Sequence, residues 1–325
     1  MKEDQGLAYV GKIIELREIE NSNLLSSAVV VCGKGSKWRG VVKNDQFDLG
    51  DLCLVHLPDA VVPKTDDYSF MKARGWRVKM CRFRGAPSEV LIIPLPVDMM
   101  SGYTCGTDVT ELIGVTKYQK PISIHLQGIA KGHFPDFIPK TDELNYQKYM
   151  DLVQALEGCP YYVTEKMDGS STTAYKYKGG FGICSRNYEV EWNKNNGYCK
   201  VAEKYRLRDN LPEGVALQWE TCGPGIQKNS AGLTALDGYA FSAYDIVKKE
   251  YYNMQQLISL CEYLQFPMCR IIEEGAEFSI YGIESMGEGK YKNGSQREGV
   301  VVRSKLNTID GKPISFKVIN LNYGE

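Results

Sequence analysis

The sequence is short of most features that announce a function. Only three histidines occur, His56, His125 and His133, and no two stand at metal-ligand spacing. That argues against a zinc hydrolase and against a Ser-His-Asp enzyme. The ten cysteines are scattered singly, as at Cys32, Cys53, Cys81 and Cys105, without the short spacing of a zinc or redox pair. They read as buried thiols kept reduced, not as a disulfide framework. No run of about 18 apolar residues is present, so no membrane span is expected. The opening Met1-Lys2-Glu3-Asp4-Gln5 lacks the apolar core of a signal peptide. The expectation is an intracellular protein of a reducing compartment, the cytoplasm, with no membrane partner. Low-complexity tracts and internal repeats are missing as well. A net charge of −1 excludes attraction of the whole chain to nucleic acid, so any such contact must come from a local patch.

One such patch exists. Lys72, Arg74, Arg77, Lys79, Arg82 and Arg84 fall within thirteen residues that contain no acid. In an extended strand Arg77 and Lys79 would share one face while Val78 and Met80 pack inward. A run of this kind is more often a solvated strand face than a binding surface. Arg77, Lys79, Arg82 and Arg84 are its candidates for nucleic-acid contact.

With 325 residues, two domains are expected. Residues 1–130 read as β-rich. Short apolar runs such as Ala28–Val31, Leu52–Val55 and Val90–Ile93 are separated by Gly, Pro, Asn and Asp, which suggests a small barrel with an OB fold as one candidate. Residues 131–325 change rhythm. A helix from Thr141-Asp142 to about Glu157 and another over Met254–Leu264 are interspersed with strands at 161–165, 172–177, 216–220, 239–246, 300–303 and 314–318. The fold class is α+β, a β-barrel followed by a domain built on antiparallel strands.

The informative segment is Glu165-Lys166-Met167-Asp168-Gly169. A lysine amine attacks phosphorus only when neutral, yet its ordinary pKa is about 10.4. Cationic neighbours, a metal or desolvation must lower that value. Asp168 cannot do so itself, but it can hold a hydrated cation that reverses the local balance. Gly169 allows a tight turn or a close backbone approach. Alone, this block would be a surface hairpin. Downstream come Ser185-Arg186-Asn187, Gln218-Trp219-Glu220 with the turn Gly223-Pro224-Gly225, Tyr239–Ile246 carrying Phe241, Arg297-Glu298-Gly299 through Arg303, and Ile314–Val318 carrying Lys317. Taken singly, Glu220 and Glu298 would be surface acids and Phe241 core, whereas Lys317 on an apolar strand is already unusual.

Together and in this order, these blocks resemble the motifs of the covalent nucleotidyl transferases: ATP-dependent RNA ligases, DNA ligases and mRNA capping enzymes. The resemblance is closest to RNA ligases with an OB domain before the transferase domain. It extends to Arg82–Leu91 and to Pro139-Lys140-Thr141-Asp142-Glu143. It implies that Lys166 is the nucleophile and that Phe241 stacks on adenine. Arg186 would contact the nucleotide or the incoming phosphate, Glu165 would line the nucleotide site, and Lys317 would neutralise the α-phosphate. Asp168, Glu220 and Glu298 would surround Mg²⁺ or Mn²⁺ through water. The implied reaction is three-step sealing of RNA ends, with nicked duplex as the partner and a monomer as the working form. A DNA ligase or capping-type transferase is the nearest alternative, and placement of the OB domain first argues against both. A non-catalytic RNA-binding module is the alternative of another class, and the intact set of charged residues argues against that. Two positions depart from the family pattern. Ile319 stands where a second basic residue is usual, with Lys305 or the 72–84 run as candidates for the missing charge. Trp219 stands where a small residue is common.

Overall fold

The computed structural model describes residues 6–33, 35–99, 102–118, 129–309 and 311–323. The chain divides into two compact units, one of residues 1–121 with 147–151, the other of 122–146 with 152–325.

In the first unit five antiparallel strands form one sheet in the order Ser36–Lys43, Leu25–Cys32, Ala8–Glu18, Leu52–His56, Leu91–Pro94. The central Ala8–Glu18 strand carries an irregularity between Ile13 and Glu15 that bends it, as curling a small sheet requires. Apolar residues lie on both faces. Ile13, Val30, Trp38 and Val55 belong to one cluster, Val10, Leu54, Tyr68 and Met71 to another. The basic run is not one strand. Lys72 and Arg74 end a 3-10 turn over Asp66–Arg74, Arg77 makes an isolated bridge to Val61, and Cys81–Phe83 pairs with Ala86–Ser88 in a hairpin. Val78 is buried as expected, but Met80 is exposed.

The second unit has two sheets. A seven-stranded antiparallel sheet runs Ala130–His133, Tyr188–Val190, Gly180–Ser185, Ser170–Tyr177, Val215–Cys222, Asp237–Asp245, Glu250–Tyr251. A five-stranded sheet runs Leu144–Asn145, Lys312–Ile319, Gly299–Ile309, Tyr161–Glu165, Ile271–Gly275, with only the first pair parallel. Apolar clusters include residues from both faces of the larger sheet. Leu217 and Trp219 pack with helices Gly197–Lys204 and Met254–Leu264, whereas Ala216, Cys184 and Tyr244 pack with Phe134 and Ile138. Trp219, the family departure, is fully buried against Phe266, and its indole N–H donates to Thr221 Oγ1 at 2.9 Å. The Met254–Leu264 helix has the expected bounds, with an Asn253/Gln256 capping box at its start.

The expected helix from residue 142 to 157 is much shorter, Met150–Leu156. Its first half is drawn away by side chains. Thr141 bonds to Ser171 through its hydroxyl instead of capping a helix, Glu143 pairs with Arg303 at 2.7 Å, and Leu144–Asn145 add a strand beside Phe316–Lys317. None of the ten cysteines is joined in a disulfide, and seven of them are buried. Among the described residues no helix is long and apolar enough to cross a membrane.

Burial alone would push the Glu143 carboxyl up, but Arg303 and the Ser315 hydroxyl more than offset this and hold it below the usual range. Glu143→Ala leaves the Arg303 guanidinium buried without its carboxylate, which should cost about 3 kcal/mol. Glu143→Gln, which keeps a hydrogen-bonding oxygen, should lose less. Urea melts of the three proteins check this ordering, and equal midpoints would refute it.

Candidate active site

Lys166, Met167, Asp168 and Gly169 form the link between the two sheets, leaving the Tyr161–Glu165 strand and entering Ser170–Tyr177. The block is therefore a crossover between sheets and not a surface hairpin. The close approach at Gly169 comes from protein. A Cβ there would lie 2.4 Å from the Thr221 carbonyl oxygen and 2.8 Å from Glu220 Cγ, so only glycine lets the chain enter the sheet beside Val215–Cys222. Gly299 serves the opposite strand in the same way. Its φ is +147°, and a Cβ would meet the Val318 carbonyl at 2.2 Å.

Lys166 Nζ lies 2.5 Å from Glu298 Oε1. Its backbone N–H donates to the Gly299 carbonyl at 3.0 Å, and its carbonyl accepts from the Tyr291 hydroxyl at 2.7 Å. That hydroxyl also accepts from the Glu298 N–H at 3.2 Å. Asp168 Oδ2 accepts from Ser230 Oγ at 3.2 Å, and Ser230 is bonded in turn to the Tyr323 hydroxyl at 2.8 Å. Glu220 stands among these charges. Burial first, with Glu298 and Asp168 adding to it against Lys166 and Arg186, pushes its carboxyl up to about 8. Burial likewise lowers the Lys317 amine, and Lys166 beside it lowers it further, while Glu298 opposes both. Lys166, Asp168, Glu220, Glu298 and Lys317 are thus brought within one field of charge.

Phe241 lies mid-strand in Asp237–Asp245, packed on the Met167, Cys222, Cys269 and Tyr291 cluster, with the Arg303 guanidinium 5.9 Å from its ring centre. Glu165 is buried and bound by Arg270 at 2.5 Å. Arg186, largely exposed, is directed to the half-buried Asp142 at 2.6 Å. Ile319 is half-buried and pairs with Gly299, and Lys305 is engaged by Glu274 at 2.8 Å. In the first unit Arg77 is held by Asp59 and lies 3.6 Å from the centre of the Tyr118 ring, while Lys79 and Arg84 are exposed. Arg82 donates to the Gly85 carbonyl at 2.6 Å and so closes its own hairpin.

Arg270, Ser230, Tyr291 and Tyr323 were not anticipated. Each acts through one polar atom on a residue distant in sequence, and no spacing rule marks such a residue. Asp142 and Glu143 did carry a signal, the Pro139–Glu143 block, but without a role.

A Mg²⁺ or Mn²⁺ ion fits this donor set. Hard carboxylate oxygens suit either ion, and the Glu220 carboxyl, raised to about 8 by burial first and then by Glu298 and Asp168, stands where a cation would favour its ionised form. Among the described residues no three acidic, histidine or thiol side chains are near enough to ligate one ion directly. In the metal-free protein folded Glu220 keeps its proton up to about 8, whereas the unfolded carboxyl loses it near 4.3. Stability should therefore fall as pH rises through that window, and the loss is complete above it. With chelator present, Glu220→Gln should melt above wild type at about pH 8.5 but not at about pH 5, by roughly 2–4 °C per kcal/mol recovered. Identical melting curves at both pH values would show that Glu220 titrates as an ordinary acid.

Residues 160–319 match the RNA ligase family, and residues 7–95 match an OB-fold domain. Among curated protein sequences none matches significantly. Solved structures of an RNA ligase from Naegleria gruberi are similar over nearly the whole chain. A lysine-to-alanine variant with ATP and Mn has 29% identity and a TM-score of 0.78, covering 97% of each chain. A lysine-to-methionine variant with AMP and Mn has 29% identity and a TM-score of 0.77, covering 97% of this chain and 96% of that one. The same ligase with PPi has 29% identity and a TM-score of 0.77, covering 97% of each chain. An OB-fold domain is thus followed by an RNA ligase domain over residues 160–319, and over nearly its whole length the chain is similar to an RNA ligase of Naegleria gruberi.

Proposed function

We propose that this protein is an ATP-dependent RNA ligase that seals 3′-hydroxyl and 5′-phosphate RNA ends through a lysyl-AMP intermediate on Lys166. One observation carries the reading: a lysine at the crossover between two sheets, ion-paired to Glu298 and sharing its surroundings with Asp168, Glu220 and Lys317. Kinship with an RNA ligase crystallised with ATP, AMP and PPi supports the same substrates here.

In the first step the Lys166 Nζ lone pair attacks the α-phosphorus of ATP. An N–P bond forms, the bond to the β-phosphate oxygen breaks, and pyrophosphate leaves with the electron pair while Nζ loses its proton. Next, an oxygen of the RNA 5′-phosphate attacks the same phosphorus, which frees Lys166 and leaves a 5′–5′ pyrophosphate linkage. Finally the 3′-hydroxyl attacks the RNA phosphate, and AMP departs. Lys317 neutralises charge at the α-phosphate, and Phe241 offers a ring face to adenine. Arg186 moves from Asp142 to the nucleotide or the incoming phosphate. Asp168, Glu220 and Glu298 would hold Mg²⁺ or Mn²⁺ through its waters, and that charge would favour the neutral amine and the departing phosphates.

The test is incubation with a divalent metal and each α-labelled nucleotide. ATP should give an acid-stable covalent label, and Lys166→Met should abolish it while ATP binding persists, since methionine keeps the length but has no amine. A nick whose 3′ end is RNA should be sealed faster than an all-DNA nick, because the 2′-hydroxyl distinguishes them. Stoichiometric labelling of the Lys166→Met protein would sink the assignment, and equal sealing of both nicks would favour a DNA ligase.

RNA backbone contact in the first unit is assigned to Lys79, Arg82 and Arg84. Arg77 is a weaker candidate, because it is already bound to Asp59 and stacked on Tyr118. Lys79→Ala with Arg84→Ala should weaken RNA binding and reduce the salt slope by about 0.7 per lost phosphate contact, with self-adenylylation close to normal. Titrations at several salt concentrations read this directly; an unchanged slope would leave the run as a solvated face.

A further inference from the structure

Tyr291 lies outside every motif block, yet it touches the centre of the site. Its ring is 5% exposed and packs in one cluster with Met167, the residue between Lys166 and Asp168. Its hydroxyl uses both of its capacities on backbone, donating to the Lys166 carbonyl at 2.7 Å and accepting from the Glu298 N–H at 3.2 Å. A tight turn fixes the residue itself. The Tyr291 N–H donates to the Ser295 carbonyl at 2.8 Å, and the Gly294 N–H donates back to the Tyr291 carbonyl at 2.9 Å. The same turn reaches the loop that holds Asp168, because Asn293 Nδ2 donates to the Ser230 carbonyl at 2.9 Å and Ser230 Oγ donates to Asp168. Below it, Arg297 Nη2 donates to the Met286 carbonyl at 2.9 Å and anchors the approach to Glu298.

Lys166 needs this help for a geometric reason. Its Cα lies in the irregular link between two sheets, where no ladder partner holds its carbonyl. The amine sits at the end of a flexible four-carbon stem and must meet phosphorus in line, within a few tenths of an ångström of the productive position. A stem can place its tip no better than its root is placed. Glu298 is held independently, since its carbonyl accepts from the Asn320 N–H at 3.0 Å.

We propose that Tyr291 is a positioning residue for lysine adenylylation: its hydroxyl fixes the Lys166 backbone against that of Glu298, setting the reach of the nucleophile. This rests on the lysyl-AMP reading above, and the test separates the two. Tyr291→Phe keeps the ring in its cluster and removes only the hydroxyl. Single-turnover self-adenylylation should slow between roughly tenfold and a hundredfold, as expected when a reacting atom is misplaced by a fraction of an ångström to an ångström. The KM for ATP should stay within about threefold, because ground-state binding of the nucleotide is untouched. Sealing of a pre-adenylylated RNA nick bypasses attack by Lys166 and should fall by no more than about threefold. Because that activity requires a folded site, it also controls for unfolding. Undiminished self-adenylylation in Tyr291→Phe would overturn the proposal. So would a parallel loss of both steps with a lowered melting temperature, which would make Tyr291 a packing residue only. Failure of the wild-type protein to take up label would instead strike the lysyl-AMP reading.

Discussion

Between Glu165 and Ser170 the chain leaves a five-stranded sheet and enters a seven-stranded one, with Gly169 pressed against the Thr221 carbonyl and Glu220 Cγ. Any side chain at that position would drive the two strands apart. The glycine therefore determines how near Glu220 comes to Lys166 and Asp168. On the facing strand Gly299 permits an equally close approach to Val318, one residue from Lys317 and next to Glu298. Two backbone contacts that exclude a Cβ thus bring acids and lysines from separate strands into one field. Lys166 sits at this crossover, where side chains from both sheets meet.

That convergence has an electrostatic cost which matches the proposed chemistry. Three carboxylates and two lysines share a partly dry space, and burial raises the Glu220 carboxyl to about 8 while it lowers the Lys317 amine. Lys166 meets this excess of acid by pairing with Glu298. On the lysyl-AMP reading proposed above, a divalent cation engaging the carboxylates would take over that pairing and free the Lys166 amine.

The segment from Pro139 to Asn145 is a second organiser. Gln218 donates to the Pro139 carbonyl, Thr141 bonds to Ser171, Asp142 meets Arg186, Glu143 binds Arg303 and Ser315, and Asn145 pairs beside Lys317. Within seven residues it touches both sheets, which makes it a strap across the second unit. The sequence suggested a helix here because Thr141-Asp142 resembles a cap and Leu144 begins an apolar spacing. Two buried polar contacts at Glu143 and strand pairing at Leu144–Asn145 outweighed a weak local preference, as tertiary contacts commonly do.

Much of the architecture was legible because its causes are local. Short apolar runs marked the strands around Lys166, Glu220, Phe241 and Lys317, and the Met254–Leu264 helix has the bounds expected from its sequence. The order of the charged blocks carries the resemblance to RNA ligases without any tertiary contact. The basic run from Lys72 to Arg84 shows the limit of that approach. Alternation could not reveal that the backbone turns through a 3-10 segment and a hairpin, nor that Asp59 and Tyr118 had already claimed Arg77. Composition and motif order determined by themselves which functional groups the chain can offer, since the Lys166 amine, the Asp168, Glu220 and Glu298 carboxyls and the Phe241 ring are fixed by residue type. Tertiary structure alone decided which atoms aim that chemistry. The Tyr291 hydroxyl, the Ser230–Asp168 bond and the Arg270–Glu165 pair each join residues more than sixty positions apart. Contacts over such separations depend on how the sheets close, and no local pattern in a sequence encodes that.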